Sequence, residues 1–232
     1  MASQFIHITL PDGTRKQVPA GCTVREALTP EGGRLDAKVL AAKINGEPMD
    51  LSRPLEQDAT IEPLTFESAE GREVYRHSST HIMAQAVKEV FPTAQLTIGP
   101  ALDDGFYYDF AFDRPFTPED LEKIEARAIE IMKRGLTVTR SELSKQDAIK
   151  FFQERGEGYK VELINSFDDA SPISLYRQGE FVDLCRGPHL PTTGYVGAFK
   201  LLSTGGAYWR GDERNPMLQR VYGTSSPTKK EL

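Results

Sequence analysis

Two pairs of potential ligands account for most of the histidines and cysteines in this chain, which has four and two of these residues, respectively. His77 and His81 are four residues apart, and so are Cys185 and His189. Residues four apart share one face of a helix, so the histidine pair can project two imidazoles together. The Gly-Pro dipeptide at 187–188 instead indicates a strand end that enters a tight loop. We expect both pairs to meet in one site.

Three chemistries can use two such pairs. A structural zinc ion would take all four ligands in a closed tetrahedron, whereas a catalytic zinc ion would take three and keep a water molecule. A metal-free hydrolase would use an imidazole as general base, with Lys160 or the loop N–H groups from Gly187 onward stabilising an oxyanion. A covalent role for the Cys185 thiolate is a further alternative. Ligand spacing alone leaves all of them open.

Asp183 and Lys160 are charged residues within apolar segments. We predict a strand over FVDLC, in which Phe181, Asp183 and Cys185 share one face because side chains alternate. YKVELI is also predicted as a strand, with Lys160 opposite its apolar residues, where the ammonium either reaches a ligand or faces solvent. The aromatic run Phe106–Tyr108 is predicted to lie in the core rather than in a pocket.

Three helices carry clear start and stop signals after residue 68. The first, EVYRHSSTHIMAQAVKEVF, holds the histidine pair and ends before a proline. The second has Thr117 as its cap and stops at Gly135, and the third runs from Ser144 to Gly156. Further strands are predicted over DGFYYDFAF, LTVTRSEL and GAFKLLS. Residues 68–225 are therefore predicted to form an α+β unit, with helices packed on a largely antiparallel sheet.

Residues 1–64 are typical of a small β-grasp, or ubiquitin-like, module. FIHITL and RKQV are predicted to form a hairpin across PDGT, and VLAAKI and ATIEPL are further strands. Thr23 and Glu26 are spaced as a capping box at the start of a helix. The polar segment 226–232 is predicted to be a tail after the second unit.

Composition limits the classes of protein to consider. The net charge of -6 argues against a protein that binds nucleic acid over its whole surface. No apolar run approaches the ~20 residues of a membrane helix, and the first residues do not read as a signal peptide, so we expect a cytoplasmic protein. The distant Cys22 and Cys185 argue against a disulfide framework and predict a free thiol at Cys185.

Long stretches of the chain resemble the editing domain of bacterial threonyl-tRNA synthetases. They are RHSSTHIMAQAVKEVF, IGPALDDGFYYDF, FVDLCRGPHLPTTGYVGAFKLLS and GAYWRGDERNPMLQRVYGTS. Residues 1–64 resemble the TGS module that precedes this domain. Alanyl-tRNA synthetases and their free-standing relatives share the His-x3-His and Cys-x3-His skeleton, but GAYWRGD and MLQR favour the threonyl family.

The resemblance implies proofreading. Ser-tRNA(Thr), which is mischarged, would be hydrolysed at its ester, whereas Thr-tRNA(Thr) would be spared. A second site is needed because a pocket shaped for threonine rejects a side chain one methyl smaller by only about 1–3 kcal/mol. The alternatives are a zinc-dependent trans-editing deacylase of the alanyl type and a non-catalytic tRNA-docking module.

The resemblance also implies roles for individual residues. Asp183 is suited to hold the seryl ammonium, and Lys160 and His77 are suited to position or activate water near the ester carbonyl. Substrate binding is assigned to Asp183, Lys160, Gly187 and Pro188. The residues expected to be catalytic are His77, His81, Lys160, Asp183, Cys185 and His189. Editing is expected to need no metal, although alanyl relatives hold zinc with similar ligands; the candidate zinc ligands here are His77, His81, Cys185 and His189.

The expected partner is the 3′ end of tRNA(Thr) charged with serine. The parent enzyme of the family continues into a class II core that holds ATP and a catalytic zinc and through which it dimerises. This chain ends before that core, so we expect no aminoacylation by it alone, and 226–232 would belong to the linker toward the core.

Overall fold

The computed structural model describes residues 4–168 and 171–232. The first unit runs to Tyr75 and includes Gly187–Pro191, and the second comprises Arg76–Arg186 and Thr192–Leu232. The domain limits 1–64, 68–225 and 226–232 remain predictions. Across the described ranges, no helix combines the length and apolar character needed to cross a membrane.

The first unit has the β-grasp fold that its sequence predicts. Its elements are β1 (Phe5–Thr9), β2 (Arg15–Pro19), α1 (Val24–Leu28), β3 (Ala41–Ile44), β4 (Glu47–Met49) and β5 (Ala59–Leu64). The sheet order is β2-β1-β5-β3-β4, with β1 and β5 parallel and the other neighbours antiparallel. Thr23 and Glu26 form the predicted capping box at α1. In the same unit, the buried Asp50 carboxylate accepts the backbone N–H of His189 at 2.7 Å.

The second unit is α+β with antiparallel sheets, as predicted. Its helices are α2 (Ala69–Val90), which begins in the first unit, α3 (Pro118–Arg134), α4 (Lys145–Gln153) and α5 (Gly158–Asn165). Its strands are β6 (Gln95–Leu96), β7 (Ala101–Leu102), β8 (Gly105–Ala111), β9 (Val138–Leu143), β10 (Ile173–Gln178), β11 (Phe181–Leu184), β12 (Ala198–Tyr208) and β13 (Met217–Ser226). One sheet has the order β11-β10-β9 and another β12-β13-β8-β6, with β7 paired to β8.

The predicted helix signals are confirmed by the caps of these helices. Thr117 and Asp120 form a capping box at α3, and Gly135 ends that helix in the left-handed conformation with φ 59°. Ser144 caps α4 by accepting the N–H of Asp147. The last predicted helix is shorter than expected, since α4 ends at Gln153 and the chain turns before Gly156.

The strand predicted over YKVELI is wrong, because this segment forms helix α5. Its apolar residues alternate with polar ones, which is the period of a strand, but a window this short does not separate the two periods reliably. In the helix, Lys160 and Ile164 lie four residues apart on the buried face. Lys160 is therefore only 2% exposed rather than on a solvent-facing strand surface.

Candidate functional site

Helix α2 places the two predicted imidazoles side by side. The rings of His77 and His81 lie one turn apart, with centroids separated by 5.6 Å and planes nearly perpendicular at 84°. The predicted strand over FVDLC is confirmed as β11, and Cys185 follows directly after its end. The Sγ atom of Cys185 lies 3.3 Å from Nε2 of His77. Helix and strand end thus bring a thiol and an imidazole into hydrogen-bond contact.

Asp183 is the centre of a buried polar network in the second unit. Its Oδ1 atom lies 2.6 Å from Nζ of Lys160 and accepts the N–H of Leu184 at 2.7 Å. Its Oδ2 atom accepts the hydroxyl of Tyr108 at 2.7 Å and lies 3.8 Å from Nε2 of His81. Because Asp183 is 1% exposed, this pairing compensates the cost of burying its charge.

The charges around Asp183 keep it ionised. Burial acts to raise the pKa of this carboxyl, but the neighbouring Lys160 ammonium, together with His81 and the Tyr108 hydroxyl, brings the pKa below its usual value. Burial, followed by the nearby Asp183 carboxylate, raises the pKa of Tyr108 well above its usual value. The Tyr108 hydroxyl therefore remains protonated and donates to Asp183.

Both imidazoles are neutral at physiological pH. Burial lowers the pKa of His77 to about 4, against an opposing effect of Asp183. Burial also lowers the pKa of His81 to about 3, with Asp183 opposing and His77 and Lys160 adding to the decrease. A neutral imidazole keeps one ring nitrogen unprotonated, and this is the atom that accepts a proton or binds a metal ion.

A cavity of about 660 Å³ opens onto this network. Its lining includes His77, His81, Lys160, Asp183, Cys185 and Tyr108. The structure thus brings the first five, all predicted from the sequence, into one cavity of the second unit. Gly187 has φ 75° and is joined to Pro188 by a cis peptide bond. The role of these two residues in substrate binding remains a prediction.

Tyr108 corrects the interpretation of the aromatic run on β8. Phe106 and Tyr108 are buried, as expected for core residues, but Tyr108 also lines the cavity and bonds to Asp183. Gly99, in the loop before β7, lines the same cavity and packs so close to the Tyr108 ring that a Cβ atom there would overlap it. A tyrosine in an apolar run and a glycine before a proline carry no clear sequence signal for these roles.

Three of the four predicted metal ligands lie together in the second unit. One ligand atom from each of His77, His81 and Cys185 lies within 4.8 Å of the others, whereas His189 belongs to the first unit. Imidazoles and a thiol are ligands that zinc accepts in tetrahedral sites, and neutral imidazoles suit such binding. The donor set therefore fits zinc, which would supply Lewis acidity and lower the pKa of a bound water molecule.

Two families of known domains match parts of this chain. Residues 6–65 match the TGS domain, which covers nearly all of β1–β5. Residues 173–222 match the family described as the Threonyl and Alanyl tRNA synthetase second additional domain. The second match contains Asp183 and Cys185 and the strands β10 and β11.

Curated relatives are similar over nearly the whole chain. A threonine–tRNA ligase of Symbiobacterium thermophilum is 55% identical over 230 residues, or 99% of this chain. Threonine–tRNA ligases of Citrifermentans bemidjiense and Acetivibrio thermocellus are 54% and 51% identical, each over 98% of this chain. The chain spans only 35–36% of the length of these relatives. The chain thus carries a match to the TGS domain followed by a match to the second additional domain, and over nearly its whole length it is similar to the corresponding region of bacterial threonine–tRNA ligases.

Proposed function

We propose that the cavity hydrolyses the ester of Ser-tRNA(Thr) and spares Thr-tRNA(Thr). The observation that carries this proposal is the buried Asp183–Lys160 pair beside the two neutral imidazoles in one cavity. The relatives are named threonine–tRNA ligases, and the matched family is shared by threonyl and alanyl enzymes. Both findings support an aminoacyl-tRNA substrate.

The chemistry assigns a separate task to each charged or basic group. The Asp183 carboxylate binds the ammonium of the seryl group, which fixes the ester carbonyl in the cavity. A water molecule attacks this carbonyl carbon and gives a proton to the neutral imidazole of His77. The Lys160 ammonium stabilises the negative charge on the carbonyl oxygen. The ester bond then breaks, the leaving ribose oxygen takes the proton back from His77, and serine and tRNA are released.

The low pKa of His77 suits the second half of this reaction more than the first. An imidazole with a pKa of about 4 is neutral and can accept the proton of water, but it is a weak base. Once protonated, it is a strong acid and readily returns the proton to the leaving oxygen. Discrimination against threonine follows from size, because its extra methyl group prevents productive alignment in a site built around serine.

The donor set of His77, His81 and Cys185 favours a second candidate, a zinc-dependent deacylase of the alanyl type. In that case chelation would abolish hydrolysis, and Ala-tRNA(Ala) would react faster than Ser-tRNA(Thr). A third candidate is a tRNA-docking module without turnover. Under this alternative, His77→Ala would weaken tRNA binding or unfold the protein without changing any hydrolysis rate.

The test compares the decay of Ser-tRNA(Thr), Thr-tRNA(Thr) and Ala-tRNA(Ala), with and without a chelator. We expect rapid loss of serine alone, unchanged by the chelator. His77→Ala, Lys160→Ala and Asp183→Asn should each slow the reaction by about 10²- to 10⁴-fold while circular dichroism shows a retained fold. Lys123→Ala, on the exposed face of α3, is the control and should keep full activity. Equal, uncatalysed decay of the seryl and threonyl esters would falsify the proposal.

A further inference from the structure

Helix α5 carries Lys160 into the cavity, although its own sequence does little to hold it there. The helix has eight residues, and among the described residues its N-cap Glu157 makes no side-chain capping bond. Helices this short are marginal in water. The buried ammonium of Lys160 adds to the problem, because a charge is more stable in water than in the protein interior. Contacts from neighbouring elements must therefore hold α5 in place.

The start of α5 is fixed to the body of the second unit. The buried Glu157 carboxylate accepts the N–H of Leu96 at 2.7 Å and lies 2.7 Å from Nζ of Lys88 on α2. The N–H of Gly158 donates to Oε1 of Gln95 at 3.2 Å. These bonds fix the first turn but leave the outer face of the helix to be held by another element.

The turn between β12 and β13 contacts this outer face. Nε1 of Trp209 donates to Oε1 of Glu162 at 3.0 Å, and Nε of Arg210 lies 3.4 Å from the same oxygen. The indole ring also meets the Tyr159 ring edge to face, with centroids 5.1 Å apart. Because Tyr159 and Glu162 flank Lys160 in the sequence, the turn holds the helix on both sides of the buried lysine.

The turn itself is rigidly built. The backbone N–H of Trp209 donates to the Pro216 carbonyl at 3.0 Å, and the Asn215 side chain donates to the Trp209 carbonyl at 3.0 Å. Arg210 has φ 55°, a left-handed conformation that a residue with a side chain keeps only when its surroundings impose it. Trp209 is 3% exposed. A rigid turn of this kind can transmit its position to the helix that it contacts.

We propose that Trp209 is a positioning residue, whose hydrogen bond to Glu162 fixes α5 and so sets the Lys160 ammonium against Asp183. The effect on hydrolysis rests on the proposed function, whereas the effect on α5 does not. Trp209→Phe is the informative change because it retains a ring against Tyr159 and removes the N–H donor. Glu162→Ala removes the acceptor of the same bond.

Hydrogen exchange tests the structural part without reference to activity. In Trp209→Phe, we expect the amides of 158–165 to exchange about tenfold faster, because one charge-assisted hydrogen bond is lost. The double variant with Glu162→Ala should exchange no faster than the faster single variant. Arg214→Ala is the control and should leave α5 unchanged, because Arg214 is an exposed residue of the same turn that pairs with Asp212. Unchanged exchange in α5, or equal acceleration in α3, would overturn the proposal.

Turnover of Ser-tRNA(Thr) tests the link to Lys160. We expect Trp209→Phe to lower kcat by about tenfold with KM unchanged, because a displaced Lys160 ammonium stabilises the oxyanion less well. In a Lys160→Ala background, the same change should have no further effect on kcat, because Trp209 acts through that lysine. Full additivity of the two changes would contradict positioning through Lys160. A parent chain that fails to hydrolyse the ester removes the proposed function, while the exchange result still decides whether the turn holds α5.

Discussion

At the scale of single residues, the sequence predicts the functional groups better than their surroundings. Spacing indicates the His77–His81 pair, and the two-residue period of a strand predicts that Asp183 faces the same side as Cys185. Residue spacing does not predict that Tyr108 is a partner of Asp183. An aromatic run carries no signal that one of its hydroxyl groups donates to a carboxylate 75 residues away. Such a partner is set by tertiary packing, which local sequence patterns do not encode.

Removing Lys160 should destabilise the protein in a pH-dependent way. We expect Lys160→Met to lower the free energy of unfolding at pH 7 by about 3–5 kcal/mol, because it leaves the Asp183 carboxylate buried without its cation. In the parent chain the pKa of Asp183 is lowered, so its contribution is present above the unfolded pKa of about 3.9 and is lost as pH falls through the folded value. Without the lysine, the effect of burial on the Asp183 pKa is no longer offset by a neighbouring ammonium. The pKa rises, and the carboxyl takes up a proton at a higher pH than in the unsubstituted chain.

The difference in unfolding free energy between Lys160→Met and the unsubstituted chain should therefore be larger at pH 7 than near pH 4. Urea unfolding at both pH values measures it, with Lys123→Met as the exposed control. A loss at pH 7 no larger than that of the control would mean that the buried ion pair contributes little.

The lowered pKa values of His77 and His81 predict a loss of stability in mild acid. Their folded pKa values of about 4 and about 3 lie below the unfolded value of about 6.5, so the unfolded chain binds more protons between these limits. Stability should then fall as pH decreases from 6.5 toward 4, by about 1.4 kcal/mol per pH unit for each histidine. Chelator-treated protein, unfolded in urea at several pH values, shows the slope. His77→Gln and His81→Gln should each remove about half of it; an unchanged slope in both variants would contradict this assignment.

At the scale of elements, prediction succeeded where backbone chemistry is local. The Thr117 and Ser144 caps and the left-handed Gly135 define helices through hydrogen bonds within a few residues. Strands β10 and β13 were not predicted, since each gains its hydrogen bonds from segments distant in the chain. The strand predicted for α5 is wrong for another reason: its short run of alternating residues does not separate the period of a strand from that of a helix, and its buried face is set by the surrounding elements.

The loop before β7 should control the position of Tyr108. In Gly99→Ala, the added methyl group would overlap the Tyr108 ring, so the ring must move and the hydroxyl must leave Asp183. We expect a loss of about 1–3 kcal/mol in unfolding free energy, from overpacking and from the lost buried bond. Tyr108→Phe separates the two effects because it removes the hydroxyl alone. A Gly99→Ala variant as stable as the unsubstituted chain, with the proposed hydrolysis unchanged, would show that the cavity wall adjusts to the methyl group at little cost.

At the scale of the whole molecule, the predicted fold class and the resemblance to bacterial threonine–tRNA ligases are confirmed, and the individual roles of the site residues remain proposals. Composition and long motifs predict class and family because they average over many residues. The shape of the cavity depends on loops such as that at Gly99, whose packing the sequence does not reveal. The net charge of -6 is also a property of the whole molecule, and it affects how strongly the chain binds a polyanion.

The acidic charge predicts weak tRNA binding by this chain alone. We expect tRNA that carries no amino acid to bind with a Kd of about 10⁻⁴–10⁻⁶ M, which is the range of non-specific binding. The plot of log affinity against log salt should have a shallow slope, because acidic side chains outnumber basic ones in this chain and oppose the phosphates. Fluorescence anisotropy across a salt series measures both quantities. Nanomolar affinity with a steep slope would instead indicate a concentrated basic surface.

The donors around Asp183 limit what else this carboxylate can hold. A carboxylate offers about four lone-pair sites, and within the described residues Lys160, Tyr108 and the Leu184 N–H occupy three of them. About one acceptor position then remains for an incoming amine. Esters whose amino group is acylated or absent would bring no cation to this position, and the cavity should select for a free α-amine before side-chain size is compared.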